Sequence, residues 1–465
     1  MEAIDIHHGK KKRNFSPVRR IAFSFFMVIF IGSLLLTLPI ANTGTTDYIN
    51  HLFIATSATC VTGLVPVTVA EQYTTFGHLI IIALIQIGGL GFLTLLNLVF
   101  VVFKKRLSFT NKIVMQEALN QNSLKDIGTF IKHVIKYTIF FELLGAIFLS
   151  LVFVPEFGLL RGIYYGVWHS ISAFCNAGFD ILGASSLIPY QSNIIVNFTV
   201  SGLIICGGLG FIVWVDIKDV ICNYKKKHKK FKISKFLGDF SVHSKIVIVV
   251  TTLLLLGGTV AIYILEMNNP DTIGNLPVWQ QWLVSFFQST TLRTAGFASV
   301  DIVSLHDSTK LLMSIFMFIG GSPAGTAGGI KTVTFAIVVL YIISLVKGTE
   351  KVDVFKRGMS DNLVKRALSI AIISFFISMV CLFILSVTES KPFIDVAFEV
   401  FSAFGTVGLT ANVTPGLSFI GKLVIISLMY IGRIGPMTML LVFAKKYNQK
   451  KGKGIIYPQG EVLIG

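Results

Sequence analysis

Eight apolar stretches, each close to or above the length of a membrane-crossing helix, constrain this chain more than any other feature. A helix needs about 20 apolar residues to cross roughly 30 Å of hydrocarbon. The chain is 53% hydrophobic and only 14% charged, unlike soluble globular proteins. We therefore predict an integral membrane protein with eight transmembrane helices. The predicted spans lie near residues 21–40, 77–103, 134–154, 193–215, 246–265, 310–346, 367–387 and 418–444.

Lysine and arginine are concentrated on one side of the predicted membrane. Of the 40 basic residues, 33 lie before the first span, after the eighth, or in connections that follow even-numbered spans. Because basic loops remain on the cytosolic side, we predict a multi-pass cell-membrane protein with both termini in the cytosol. The net charge of +17 is then explained by orientation and contact with anionic lipid, which we favour over nucleic acid binding.

A glycine-centred tetrapeptide recurs four times, once in each connection from an odd-numbered span to the next. The central glycines are 115, 118 and 112 residues apart, and a second glycine motif follows each of them after 24 to 29 residues. Such matched spacings indicate internal repeats. The tetrapeptides are residues 61–64, 176–179, 294–297 and 406–409, and the second motifs begin at Gly88, Gly207, Gly320 and Gly432.

Each repeat contains two crossings, so all four enter the membrane in the same orientation, unlike the halves of inverted-repeat transporters. The predicted fold is all-α and integral to the membrane: eight transmembrane helices plus four re-entrant pore helices, in four parallel repeats around one pseudo-fourfold pore. The predicted pore helices are 51–59, 164–174, 281–291 and 396–403. The predicted segments are a basic N-terminus (1–20), repeat 1 (21–105), repeat 2 (130–222), a basic cytosolic loop (223–243), repeat 3 (244–348), repeat 4 (364–446) and a cytosolic C-terminal tail (447–465).

Glycine-centred loops of this kind suit an ion filter. Irregular backbone at membrane depth is tolerated only inside protein or along a water-filled cavity, where its carbonyls can replace the hydration shell of a cation. One such glycine alone would be better explained by helix packing, but four matched loops favour a filter. The candidate filter backbone is Val61, Thr62, Gly63, Asn176, Ala177, Gly178, Thr294, Ala295, Gly296, Thr406, Val407 and Gly408.

The sixth span is interrupted by residues 320–332, which are too rich in helix breakers to form a continuous helix. We predict a flexible gate loop across the pore on the cytosolic side of the filter. Arg433 replaces the second glycine of the fourth motif, and an ionisable residue within a membrane is usually functional. Arg433 would repel cations and donate hydrogen bonds to the carbonyls of the loop, which would make a closed gate. The alternative is that Arg433 caps these carbonyls and has no role in gating. The candidate gate residues are Gly320, Gly321, Ser322, Ala324, Gly325, Thr326, Gly328, Gly329, Lys331 and Arg433.

Three further charged residues lie near the tetrapeptides. Arg293 precedes the third one and is predicted to support the filter, while Asp395 and Glu399 are candidate partners or cation attractors. An intramembrane hydrolase using Ser322 and His169 is disfavoured because no general base or nucleophile elbow accompanies them. An ion-coupled secondary transporter would place buried carboxylates or histidines in several spans, and the sequence suggests that they are nearly absent. The chain is therefore predicted not to be an enzyme and to bind no organic cofactor.

These motifs resemble those of the Trk/Ktr/HKT superfamily of K⁺ transporters, most closely the bacterial Ktr-type membrane subunit. The resemblance covers essentially the whole chain and is carried by residues 58–64, 294–297, 404–410 and 430–436. It implies K⁺ uptake through a channel-like filter with an intramembrane gate. In this superfamily a serine at the first filter glycine accompanies Na⁺ permeation, so Gly63 favours K⁺. A Na⁺-permeable or ion-coupled cation transporter, with Na⁺ as activator or coupling ion, is the alternative.

The same resemblance implies partners. A Ktr-type subunit is expected to form a homodimer of two separate pores on a cytosolic ring of nucleotide-binding regulatory subunits of the RCK type, in contact with membrane lipid and with no nucleic acid. Residues 455–465 are apolar enough to be buried in that interface, although a frayed terminus is the alternative.

Overall fold

The computed structural model describes residues 17–91, 127–227, 238–349 and 351–443. Within these ranges the chain is predominantly helical, and its one hairpin pairs Asp353–Val354 with Arg357–Gly358. This confirms the predicted class of helical membrane protein. The predicted C-terminal tail, most of the basic N-terminus, the end of the second span and the centre of the 223–243 loop lie outside the described residues.

Among the described residues, the first helix of each repeat is the longest in its repeat and runs without a break. By length and composition these four helices are able to span a membrane, and a bent pair in repeat 2 makes up to five among the described residues. The four first helices are Pro17–Leu36, Ile127–Phe157, Val242–Glu266 and Asp361–Thr388.

A shorter helix, called the pore helix below, ends immediately before or one to two residues before each glycine-centred tetrapeptide. Each begins three to five residues earlier than predicted and ends within two residues of the predicted end. The pore helices are Tyr48–Cys60, Leu159–Phe174, Val278–Thr291 and Phe393–Gly405. Short turns of helix follow in the external loops at Val69–Gln72, Ile188–Tyr190 and Thr414–Gly416.

The second helix of each repeat is interrupted or ends at the second glycine motif. Gly91, Gly210 and Gly435 have φ values of 82°, 85° and 96°, and the two halves in repeat 2 are bent by 91°. The fourth and eighth predicted spans are therefore each divided into two helices, because glycine admits a left-handed conformation that ends an α-helix. The second helices are Thr75–Leu90; Ile194–Gly208 and Phe211–Lys227; Asp307–Phe318 and Thr332–Val346; and Phe419–Ile434 and Pro436–Phe443.

The repeats are arranged in a closed circle. The second helix of each repeat packs against the pore helix of the next one. The pairs are Thr75–Leu90 with Leu159–Phe174, Ile194–Gly208 with Val278–Thr291, Asp307–Phe318 with Phe393–Gly405, and Phe419–Ile434 with Tyr48–Cys60. The last pair joins repeat 4 to repeat 1, so every pore helix is held between its own repeat and the preceding one.

Apolar side chains cover the outside of this circle as well as its inside. Phe174, Phe287 and Phe404 are fully buried around the pore helices, whereas Phe376 and Phe383 on a first helix are 67% and 70% exposed. A long helix with apolar residues on its exposed face is suited to contact with lipid. The C-terminal ends of the pore helices are therefore enclosed by protein, and the first helices present exposed apolar faces.

Glu266 fastens the outer end of repeat 3. It is 1% exposed, and its carboxylate accepts hydrogen bonds from Asn269 Nδ2 at 2.7 Å, Thr272 Oγ1 at 2.8 Å, His306 N at 3.0 Å and Thr309 Oγ1 at 2.5 Å. These donors belong to the external loop and to the start of the second helix. One carboxylate thus joins the ends of two helices.

Replacing Glu266 by alanine is expected to lower the free energy of unfolding by about 2–4 kcal/mol, because several buried donors lose their acceptor. Thermal unfolding of the purified protein in detergent measures this effect. Glu71→Ala, at an exposed position in another external loop, is the matched control and is expected to change stability by less than about 0.5 kcal/mol. Equal stability of the two variants would contradict the assigned role.

Candidate functional site

The four tetrapeptides share one backbone conformation. The first residue of each has a positive φ of 51° to 66°, and the central glycine has a positive φ of 67° to 102°. Positive φ is uncommon for residues other than glycine, so its presence at four matched positions shows that the four tetrapeptides adopt the same unusual conformation. Alternation of this kind allows successive carbonyls to face the same side. The residues concerned are Val61, Asn176, Thr294 and Thr406, with Gly63, Gly178, Gly296 and Gly408.

The central glycines lie beside one another in a ring. Each central glycine faces the carbonyl oxygen of the second tetrapeptide residue in the next repeat. A Cβ built on Gly63 would lie only 2.6 Å from the carbonyl oxygen of Ala177. The four pairs are Gly63 with Ala177, Gly178 with Ala295, Gly296 with Val407, and Gly408 with Thr62. The ring has no room for a side chain at these positions, and it closes in the same order as the helices.

Serine side chains anchor this ring, which the sequence analysis missed. The N–H of Gly63 donates to Ser57 Oγ at 3.0 Å, and that of Gly408 donates to Ser402 Oγ at 3.1 Å. In repeat 2, Ser172 occupies the matching position and bonds the tetrapeptide differently, through a carbonyl. A serine six residues before the central glycine in three repeats was the available signal.

The segment between the two halves of the second helix in repeat 3, residues 319–331, reaches across to repeat 2. Ser322 N donates to Gly208 O at 2.9 Å, and Phe211 N donates to Ala324 O at 3.0 Å. These contacts fall where the second helix of repeat 2 is broken. The loop, called the gate loop below, therefore lies on the side of the ring where the pore helices end.

Arg433 joins three repeats. One guanidinium nitrogen donates to Thr326 O in the gate loop, and the other donates to Gly88 O and, at 3.2 Å, to Gly89 O in repeat 1. Arg433 forms no ion pair among the described residues. Its hydrogen-bond partners are backbone carbonyls. The sequence-predicted contact of Arg433 with the gate loop is thus present in the structure.

The other gate candidates line the same loop. Lys331 Nζ donates to Ala327 O at 2.6 Å, which places a second cation close to Arg433. Gly328 approaches the side chain of Thr406 so closely that a Cβ would overlap with it. The remaining candidates in this loop are Gly320, Gly321, Gly325 and Gly329.

The three charged residues singled out near the tetrapeptides do not pair with one another. Asp395 forms an ion pair with Lys310 at 2.9 Å, and Glu399 accepts hydrogen bonds from two threonine hydroxyls of the fourth external loop. Arg293 is 4% exposed and donates to Thr251 Oγ1 at 3.3 Å. Arg293 directly precedes the third tetrapeptide and Glu399 bonds the loop that follows the fourth, whereas Asp395 lies in the first turn of the fourth pore helix, away from the ring.

Glu142 is a charged residue that the sequence analysis missed. It lies at the midpoint of the first helix of repeat 2, where Gln86 Nε2 donates to its carboxylate at 3.0 Å. Cys175, next to the second tetrapeptide, donates to Gln86 Oε1 at 3.3 Å. Glu142 is a half-buried carboxylate within a predicted span, whereas Glu266 lies at the end of a first helix and Glu399 in a pore helix.

Ser322 and His169 are not arranged for hydrolysis. Ser322 Oγ donates to the carbonyl of the adjacent Pro323, and His169 Nδ1 bonds Tyr165 O within its own pore helix at 2.7 Å. Each side chain therefore bonds its own segment, and the two do not form a nucleophile–base pair.

A family model described as "TrkH: Cation transport protein" matches residues 7–455. The chain belongs to this family. It is similar to the potassium/sodium uptake protein NtpJ of Enterococcus hirae, with 41% identity over 460 residues and 98% of each chain covered. It is also similar to the Ktr system potassium uptake protein B of Bacillus subtilis, with 39% identity over 451 residues and 97% of each covered.

Among solved structures, the potassium transporter TrkH from Vibrio parahaemolyticus has a similar fold. The TM-score is 0.72 at 16% sequence identity, and the match covers 93% of this chain and 86% of the other. The helical fold of this chain agrees with its membership of the TrkH family. The chain is a multi-pass membrane protein.

The second glycine motif gives a sharp test of the packing behind the ring. A Cβ on Gly207 would overlap with Phe174 O and lie 2.7 Å from both Asn176 Oδ1 and Thr326 Oγ1, whereas one on Gly202 meets nothing within 4 Å. Overpacking of this kind costs about 1–3 kcal/mol. Gly207→Ala is therefore expected to lower cation flux in proteoliposomes at least about tenfold.

Gly202→Ala on the same helix is the control and is expected to keep flux within about twofold of the wild type. Flux that falls equally in both variants would mean that general damage to the helix, and not the contact behind the ring, is responsible.

Proposed function

We propose that this chain is the membrane subunit of a Ktr-type K⁺ uptake system. Its filter is formed by the four glycine-centred tetrapeptides, and its gate is the 319–331 loop held by Arg433. The observation that carries this proposal is the closed ring of four segments with the same alternating backbone. Membership of the TrkH family and similarity to relatives named as potassium uptake proteins support it.

A filter of this construction selects a cation through backbone atoms. The carbonyl oxygens of the tetrapeptides replace water around the ion, and the pore helices direct the negative ends of their dipoles toward it. The hydroxyls of Ser57 and Ser402 bind N–H groups of the ring and so hold the carbonyl geometry. Glycine at all four central positions favours K⁺ as the conducted ion.

The gate works through position and charge. The gate loop lies against the inner side of the ring, and Arg433 and Lys331 add positive charge where a cation would leave the filter. Conduction then requires that the loop move away and that Arg433 exchange its carbonyl partners. Because Arg433 bonds repeats 1 and 3 together, motion of the second helix of repeat 4 is suited to drive this change.

The regulatory partners belong to the same proposal. Relatives named as components of a Ktr system indicate that other subunits take part. We place both termini in the cytosol and expect a homodimer on a nucleotide-binding ring of the RCK type. The chain itself then has no enzymatic activity, organic cofactor or nucleic acid partner.

Transport of Na⁺ together with K⁺ is the second candidate function. One relative is named a potassium/sodium uptake protein. Glu142, a carboxylate at the middle of a membrane helix, is the kind of residue that ion coupling uses. Reversal potentials distinguish the two functions, because a channel follows the K⁺ gradient alone and a symporter shifts with the coupled ion.

Gly63→Ser tests the filter. The added side chain begins 2.6 Å from Ala177 O, so the ring must deform, and the K⁺/Na⁺ permeability ratio is expected to fall at least about tenfold. Uptake of both ions in a K⁺-uptake-deficient bacterial strain, with a regulatory subunit supplied, measures it. Gly202→Ala serves again as the control. Unchanged selectivity in Gly63→Ser would contradict the filter assignment.

Arg433→Ala tests the gate. Removing the guanidinium frees Thr326 O and removes a charge from the ion path, so K⁺ uptake is expected to rise about threefold to tenfold. Arg433→Lys keeps the charge but not the paired donors, and we expect an intermediate rate. A loss of uptake in both variants at normal membrane abundance would instead support the capping role without gating.

A further inference from the structure

Thr326 lies where the gate loop meets the filter. Its hydroxyl donates toward Asn176 Oδ1 at 3.0 Å and Phe174 O at 3.2 Å, while its N–H donates to Gly207 O at 3.3 Å. Its carbonyl accepts from Arg433. Each polar group of this residue therefore bonds a different neighbouring segment, and the residue is fully buried.

Asn176 extends this contact into the filter. Its backbone is the first residue of the second tetrapeptide, with φ of 60°. Its side-chain Nδ2 donates at 3.0 Å to the carbonyl of Arg293, the residue directly before the third tetrapeptide. Because Nδ2 bonds Arg293, the amide oxygen is turned toward Thr326. One side chain thus connects two filter segments with the gate loop.

The other three repeats lack an equivalent connection. Val61 is apolar, and the hydroxyls of Thr294 and Thr406 have no hydrogen-bond partner among the described residues. Gly207 leaves the space in which the Asn176 amide and the Thr326 hydroxyl meet, since a Cβ there would lie 2.7 Å from each of them. The gate loop is therefore hydrogen-bonded to the start of a tetrapeptide on one side of the ring.

We infer that Asn176 and Thr326 couple the gate loop to the filter, so that the ion selectivity of the filter depends on the position of the loop. The inference rests on the proposed function and deepens it. When the loop moves, the Thr326 hydroxyl leaves Asn176 Oδ1, and the amide is then free to rotate away from Arg293 O. Two filter segments lose a shared restraint, although no filter residue has been displaced directly.

Asn176 and Thr326 are positioning residues in this scheme, because they act on the filter through hydrogen bonds and the ion is bound by backbone carbonyls. A hydrogen bond contributes about 0.5–1.5 kcal/mol, which corresponds to a factor of about two to ten in an equilibrium. The K⁺/Na⁺ permeability ratio is the informative measurement. A general loss of stability lowers the amount of active protein and does not by itself favour one ion over the other.

The test compares Thr326→Val and Thr326→Ser in the full chain, reconstituted in proteoliposomes with its regulatory subunit. Valine has the shape of threonine but no hydroxyl, and it keeps the carbonyl that Arg433 binds. We expect Thr326→Val to lower the K⁺/Na⁺ permeability ratio about threefold to tenfold. Thr326→Ser keeps the hydroxyl and is expected to retain the ratio within about twofold of the wild type.

A double-variant cycle establishes the coupling itself. Asn176→Ser shortens the side chain so that it no longer reaches both partners, and it is expected to lower the ratio by a similar factor. Combined with Thr326→Val, it should lower the ratio no further than the stronger single variant, because both changes remove the same connection. Effects that multiply in the double variant would overturn the inference.

Thr138→Val is the matched control. This threonine is 1% exposed, lies in the first helix of repeat 2, and its hydroxyl has no partner among the described residues. We expect unchanged selectivity. A wild-type protein that does not conduct K⁺ selectively would overturn the proposed function and the inference with it. A selective wild type with Thr326→Val unchanged, or with Thr326→Ser as impaired as Thr326→Val, would overturn the inference alone.

Discussion

Backbone polar groups inside a membrane have no water to bond, and most of this structure follows from how they are satisfied. In the first helices the interior groups are paired within the helix, except where Pro155 lacks an N–H to donate. At the tetrapeptides the helices stop, and N–H groups are taken by carbonyls of the preceding pore helix or by Ser57 and Ser402. In the proposed filter, the carbonyls left over are the atoms available to a cation. Selectivity in that proposal depends on a pattern of satisfied donors and available acceptors.

The same requirement explains the gate loop and its arginine. Residues 319–331 expose backbone groups at membrane depth, and they are bonded to the broken second helix of repeat 2, to Arg433 and to one another. Arg433 in turn is a cation without a recorded ion pair in the described ranges, and three carbonyls from two segments compensate for its charge. The irregular backbone of the gate loop and the buried cation of Arg433 therefore stabilise each other. Displacing the loop removes a partner from Arg433, and displacing Arg433 removes a donor from the loop.

Much of this arrangement could be predicted from sequence because it repeats. A glycine motif that recurs at a nearly constant period indicates the pore helices, and their ends agree within two residues. The breaks at Gly210 and Gly435 were not predicted, since a single glycine in an apolar run also suits close helix packing. Glu142 and the side chain of Asn176 were missed for another reason. Their partners are 56 to 150 residues away in the chain, and only the fold brings them together.

The circular order of the repeats also bears on how the protein is made. The ring closes through Gly408 and Thr62, and Arg433 bonds Gly88 across 345 residues of sequence. A chain that has emerged from the ribosome only as far as its third repeat lacks the last quarter of the ring and the arginine that fastens the loop. Assembly of the ring therefore requires repeat 4. A partial chain of three repeats has neither the closed ring of tetrapeptides nor the bonds of Arg433 to the loop and to repeat 1, so the first three repeats cannot reach their final arrangement on their own.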